Sequence, residues 1–168
     1  DADIGMANID VLMGIRPRYN LYHLLKGEKN ITEIVELGTH ALPFIAGGSG
    51  LAELFTLSEG DLHYFTSQIE IISEEMDFIL FDTGAGLSKE TLKFITAADE
   101  CLVVTTPEPT SITDAYALIK VVHGMDQNLP FRLVVNRVSG ELEAKQVADK
   151  ISLVASRFLD MEIPVLGY

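Results

Sequence analysis

Short apolar runs alternate along the 168-residue chain with longer stretches whose apolar positions recur every three or four residues. The runs are "ALPFIA" (41–46), "DFILFD" (77–82), "ECLVVTT" (100–106), "FRLVVN" (131–136) and a closing "IPVLGY". Being apolar at nearly every position, they predict strands covered on both faces. Between them, Leu62, Phe65, Ile69, Ile72 and Met76 step along one face of a helix over 61–76. Ile112, Ala115, Ile119 and Val122 do the same over 111–125, behind a capping-box pattern Ser111-x-x-Asp114. Val147, Ile151, Val154 and Phe158 form a third stripe over 141–159. Each stripe reads as a core face. The alternation predicts an α/β fold, a mostly parallel sheet with helices on both faces. No repeat, low-complexity tract or long linker breaks it, so the expectation is a single domain over 1–168.

Composition narrows the function classes. With 48% hydrophobic residues the chain has ample material for a core. No run approaches the ~18–20 apolar residues of a membrane-spanning helix. The lone Cys101, inside "CLVV", is expected to be a buried thiol. The net charge of −13, from 25 acidic and 12 basic residues, repels phosphate backbones and argues against a nucleic-acid partner. It leaves room for ATP, whose phosphates backbone N–H groups, Mg²⁺ and one or two lysines can hold. The four histidines show no zinc-ligand spacing, and Ser49 lacks a G-x-S-x-G elbow.

In open α/β sheets ligands bind outside the carboxyl ends of the strands. Four places qualify: 1–3, 47–50, 82–86 and 136–137. "DFILFDTGAG" runs four apolar residues into Asp82, where a carboxylate can hold Mg²⁺ through water; it can equally cap a helix starting near Ser88. Gly84 and Gly86 let the backbone approach a phosphate. "GGSG" is not a phosphate loop, since that needs G-x-x-x-x-G-K-[ST] and no Lys lies between Lys29 and Lys89; it reads as a strand-to-helix turn. Asn136 carries an amide suited to an adenine edge, or is an ordinary turn residue. The opening "DADIG" looks like the end of a buried strand whose body is missing.

In this order, these pieces resemble the MinD/ParA group of deviant Walker-motif P-loop NTPases. Within it the likeness is to the flagellar-number regulators (the FlhG/FleN type), through "DADIGMANIDVLMGIRPRYNLYHLLKGE", "FDTGAGLS" and "EPTSITDAYALIK". Thr83-Gly84-Ala85-Gly86 stands where division-site MinD proteins typically have Pro-Ala-Gly. The resemblance implies an ATPase using ATP and Mg²⁺. It casts Asp1 and Asp3 as the D-x-D pair, with Asp3 the catalytic carboxylate that positions the attacking water. Asp82 becomes the Walker B residue acting on Mg²⁺ through water, and Gly84, Ala85 and Gly86 the switch. Asn136, with its neighbour Arg137, would contact adenine. Glu108 and Asp114 would lie near an ATP-dependent homodimer interface, although Asp114 is equally readable as a cap.

The same likeness implies that a phosphate-loop strand, between 77–82 and 100–106 in the sheet, lies upstream of Asp1, and a membrane-binding helix beyond Tyr168. The 168 residues are then a MinD-like domain truncated at both ends. Expected partners are a flagellar signal-recognition-type GTPase, flagellar switch or regulatory proteins, and the inner membrane surface. The expected location is cytoplasmic, peripheral to the inner face of the cell membrane. A division-site MinD-type ATPase and a nucleotide-free interaction module are the alternatives.

Overall fold

The computed structural model describes residues 1–3, 6–48 and 58–168, with backbone alone at residues 59 and 62. Ser49, Gly50 and the stretch after them therefore lie outside the described residues, as does the Leu62 side chain. The chain divides into two compact units, Asp1–Ala85 and Gly86–Tyr168.

The first unit is built from short helices with explicit stops and starts. These are α1 (Ile9–Met13), α2 (Leu21–Leu25), α3 (Ile31–Ile34) and the longer α4 (Glu59–Ser73). Asn20, Asn30 and Ser58 cap α2, α3 and α4, each reciprocated by the side chain three residues on, so local sequence sets these starts. Leu24, Ile31 and Ile34 are fully buried, each worth roughly 1.5–3 kcal/mol relative to exposure. Phe65 of α4 is buried as its stripe predicts. β1 (Glu36–Leu37) and β2 (Pro43–Phe44) form an antiparallel hairpin closed by a tight turn over Thr39–Ala41 in which His40 and Ala41 are left-handed. The strand expected over 41–46 is thus reduced to two residues, paired antiparallel rather than in a parallel sheet.

Residues 77–82 depart further from expectation. They belong to neither sheet of the described residues. Their side chains nevertheless alternate: Phe78 and Leu80 are 87% and 78% exposed, while Ile79 and Phe81 are half-buried, with the Phe81 ring 6.0 Å from Phe65. The extended pattern is present and the ladder is not. A strand needs neighbours for its N–H and C=O groups, and one run cannot supply them.

In the second unit, β3 (Cys101–Thr105), β4 (Phe131–Val135) and β5 (Val165–Gly167) form a parallel sheet in that order. α5 (Lys89–Thr96), capped by Ser88, precedes β3, and α6 (Pro109–Met125) and α7 (Glu141–Leu159) make the crossovers. Ala115, Ile119 and Val122 of α6 and Val147 and Ile151 of α7 pack on Val103, Leu133 and Val135.

Three details correct the sequence reading. Within the second unit the described helices cover one face: Cys101, Val103 and Thr105 are buried while Leu102 and Val104 are exposed, because α6 and α7 both join the core on the Val103 side. The α6 capping box is not formed, because Pro109 opens the helix two residues earlier with Glu108 as N-cap, leaving Ser111 and Asp114 inside it. Phe158 is exposed under the Arg157 guanidinium, and Ala155 completes the buried stripe of α7 instead. Cys101 is buried as expected, and burial pushes its thiol up to about 11.

Candidate functional site

Three extended pieces lie side by side in the first unit. The Asp1 nitrogen donates to the Ile45 carbonyl at 2.8 Å, and on the opposite edge the Ala2 N–H donates to the Asp82 carbonyl at 2.6 Å. Residues 1–3 are therefore a middle segment between 45–47 and 81–84, which brings Asp1, Asp3 and Asp82 to one place. Gly47 permits the approach: a Cβ there would stand 2.8 Å from both the Asp1 carbonyl oxygen and the Ala7 Cβ. Gly47 thus answers a packing demand, while the strand-to-helix turn expected over "GGSG" runs into Ser49 and Gly50, outside the described residues.

The two leading carboxylates have different employment. Asp1 Oδ2 accepts from the Asn8 and Ile9 N–H groups at 2.9 and 3.1 Å, and Oδ1 from the Asp3 N–H at 3.2 Å. It anchors the start of α1. Asp3 Oδ1 accepts from the Met6 N–H at 3.0 Å, and the carboxylate lies against Gly84: a Cβ on Gly84 would meet Asp3 Oδ2 at 2.8 Å. Two candidates 81 positions apart in sequence are thus in direct apposition. The Asp82 backbone carbonyl accepts the Ala2 N–H, and its side chain is exposed.

In the second unit the candidates gather where parallel strands end. The Asn136 N–H donates to the Thr105 carbonyl at 2.8 Å, which sets the exits of β3 and β4 next to each other. Thr105, 1% exposed, shares a 3.1 Å hydrogen bond with the Ser111 hydroxyl, which also accepts from the Thr106 N–H at 3.0 Å. The Thr106 hydroxyl in turn donates to Glu108 Oε2 at 3.1 Å. This Thr-Thr-Ser network, absent from the sequence expectations, fixes the turn carrying Glu108; its only signal was a run of hydroxyl residues at a strand end. Asn136 folds its side-chain oxygen back onto the Arg137 N–H at 2.8 Å, and Arg137 takes a left-handed conformation with φ 58°. That bond occupies the acceptor and leaves the NH₂ group to donate. Asp114 sits six residues past Glu108 on the exposed side of α6. Ala85 and Gly86 fall on either side of the division between the units, Gly86 with φ 97°.

Chemically, an exposed Asp82 next to Asp3 suits a hard cation that keeps its water shell, as Mg²⁺ does. The tight Asp3–Gly84 approach leaves no room for a side chain. A triphosphate cradle of the G-x-x-x-x-G-K-[ST] kind does not occur in these 168 residues.

A family model described as "AAA domain" matches residues 3–135, most of the chain, taking in Asp3, Asp82, Gly84, Glu108 and Asp114 but not Asp1, Asn136 or Arg137. The chain belongs to this family, as a MinD/ParA-type ATPase related to flagellar regulators. The antiactivator FleN of Pseudomonas aeruginosa is 35% identical over 99% of this chain and 60% of its own length. The flagellum site-determining protein YlxH of Helicobacter pylori is 37% identical, over 99% of this chain and 56% of its own. The chain thus spans about six-tenths of the length of the curated relatives it matches. Among solved structures, MinD in the MinC:MinD cell division complex of Aquifex aeolicus superimposes with a TM-score of 0.69. It is 24% identical, covering 97% of this chain and 64% of that one. That likeness establishes the fold: the P-loop NTPase, MinD-like α/β architecture. No helix of the described residues is long and apolar enough to cross a membrane.

Proposed function

We propose that the whole protein is an ATPase that binds ATP with Mg²⁺, dimerises in doing so, and regulates the number and placement of flagella. The observation that carries the reading is Asp3 apposed to Gly84 beside Asp82. In phosphoryl transfer to water the protein's work is placement and charge compensation rather than covalent chemistry. Asp3, its carboxylate oriented by the Met6 N–H, positions the attacking water. Asp82 orients the hydration shell of Mg²⁺, and when bound the ion neutralises charge developing on the phosphates. Gly84, Ala85 and Gly86 form the segment that responds to the γ-phosphate, with Gly84 linking that response to Asp3. Asn136 and Arg137 take the adenine side, the free NH₂ of Asn136 as donor. Asp1 holds the entry to α1, and Glu108 and Asp114 flank the dimer interface.

The reading requires a phosphate loop from outside these residues, consistent with relatives of which the chain spans about six-tenths. We place all 168 residues in one ATPase domain of a cytoplasmic protein that works at the inner membrane face, with a flagellar GTPase and switch or regulatory proteins as partners. Its relatives' printed roles, an antiactivator and a flagellum site-determining protein, favour this over a division-site function.

The test uses the full-length protein. Asp3→Ala should retain ATP-dependent dimers in sedimentation while turnover falls by 10²-fold or more, on the order expected when the reacting water loses its positioning. Unchanged turnover would remove Asp3 from the mechanism.

A further inference from the structure

One carboxylate of the second unit stands away from where its own helix would put it. Glu108 is the N-cap of α6, the position from which a side-chain oxygen accepts from the first N–H groups of a helix. Its backbone behaves as a cap, with the Ile112 N–H donating to the Glu108 carbonyl at 3.1 Å. Its side chain makes no capping bond. Pro109 has no N–H, and those of Thr110 and Ser111 have no acceptor among the described residues. Free amides and the positive end of the helix dipole both draw a carboxylate to this spot. Glu108 is held off it.

The residue that holds it is Thr106. Its hydroxyl donates to Glu108 Oε2 at 3.1 Å, and Glu108 is the one partner of that hydroxyl among the described residues. Thr106 is itself fixed from two sides. Its N–H donates to the Ser111 hydroxyl at 3.0 Å, and the same hydroxyl shares a 3.1 Å bond with buried Thr105. Ser111 is the third residue of α6, so the first turn of the helix grips the residue that keeps the carboxylate from it. On the sheet side, the parallel register pairs Thr105 with Val135. The Asn136 N–H bond to the Thr105 carbonyl, at 2.8 Å, carries that register one step further and sets Thr106 beside Asn136. The Glu108 side chain is thus exposed and anchored at the exits of β3 and β4. Departures from a local rule of this kind collect at functional positions.

We propose that Thr106 is a positioning residue, whose hydroxyl withholds the Glu108 carboxylate from α6 and keeps it available to a hydrogen-bond donor or cation of a second copy of this chain. This role rests on Glu108 flanking the ATP-dependent dimer interface. Ser111 acts behind it, by fixing the Thr106 backbone.

Two measurements on the full-length protein test this. Without nucleotide, NMR reads amide exchange at Thr110 and Ser111. Thr106→Val releases the carboxylate to its own helix, so both amides should exchange roughly five-fold more slowly, on the order of one hydrogen bond to a charged group. Adding Glu108→Ala should abolish that slowing. With Mg-ATP, sedimentation reads the dimer. Thr106→Val should weaken it roughly five-fold, Thr106→Ser should restore it, and Thr106→Val should do nothing further once Glu108 is alanine. Thermal melts should show Thr106→Val no less stable than the parent, which a merely structural hydroxyl would not allow; Thr106→Ala, with a smaller side chain, should repeat both results. Unchanged amide exchange in Thr106→Val, or a serine that fails to restore the dimer, overturns the proposal. If Glu108→Ala weakens the dimer and Thr106→Val does not, the positioning role alone fails. If Glu108→Ala dimerises as the parent does, Glu108 leaves the interface and the proposal falls with the reading beneath it.

Discussion

Gly84→Ala isolates the contact on which the candidate site depends. The glycine is not in the left-handed region, so alanine is conformationally acceptable there and only the added methyl acts. That methyl would lie 2.8 Å from Asp3 Oδ2, 3.0 Å from Cγ and 3.3 Å from Oδ1, so all three nearest atoms belong to one carboxylate. The carboxylate is the end of a short side chain and can rotate aside, at the cost of the Met6 N–H bond to Oδ1. A hydrogen bond to a charged group contributes about 1.5–3 kcal/mol, and this one is exposed, so a stability loss of about 1 kcal/mol is expected. For a domain of this size that is a fall of about 2–4 °C in Tm. The effect on turnover should be far larger, since a displacement of about 1 Å in a positioning group can cost 10²-fold. The assay is a two-by-two set of full-length parent, Gly84→Ala, Asp3→Ala and the double variant, each measured by thermal melt and ATP turnover. If the methyl acts through Asp3, Gly84→Ala should do nothing further once Asp3 is alanine. A Gly84→Ala penalty of equal size in both backgrounds would refute the argument.

Three further outcomes follow from single environments. Cys101 should leave stability unchanged with pH up to about 9, the ordinary value of the thiol. Above that the unfolded chain ionises first, and stability falls until about pH 11, where the folded thiol also ionises; urea midpoints measured across this range should lose that fall in Cys101→Ala. Thr105→Val removes a fully buried hydroxyl while Ser111 keeps its bond from the Thr106 N–H, so a loss of about 1 kcal/mol in urea denaturation is expected. Arg137→Gly relieves a left-handed residue and should raise stability by about 1 kcal/mol; a decrease would mean the arginine side chain holds the β4 exit together.

Much of the architecture is local and was readable as such. The stripes at Ala115, Ile119 and Val122 and at Val147 and Ile151 are buried because a helix repeats every 3.6 residues whatever it packs on. Ser88 caps α5 by reaching its own next turn. The Ser111-x-x-Asp114 box failed for an equally local reason, outcompeted by Pro109, whose ring presets the first helical residue. Residues 77–82 show the limit. Their apolar run encodes an extended conformation and an alternating exposure, yet a run of side chains carries no information about which backbone lies alongside.

What the sequence by itself determined, then, is the set of helices, their caps, the apolar runs, the acidic charge and the types of residue at the strand ends. Tertiary structure decided which of those residues meet. Asp3 and Gly84 touch because residues 1–3 run between 45–47 and 81–84, an arrangement made by backbone hydrogen bonds between positions far apart in the chain. Tertiary structure also decided that, within the second unit, α6 and α7 cover the Val103 face of β3, since exposure depends on which helices pack there and not on how apolar Leu102 and Val104 are. The physical reason is the same in both cases: periodicity and capping act over one or two turns, whereas pairing and coverage belong to neighbours that only folding brings together.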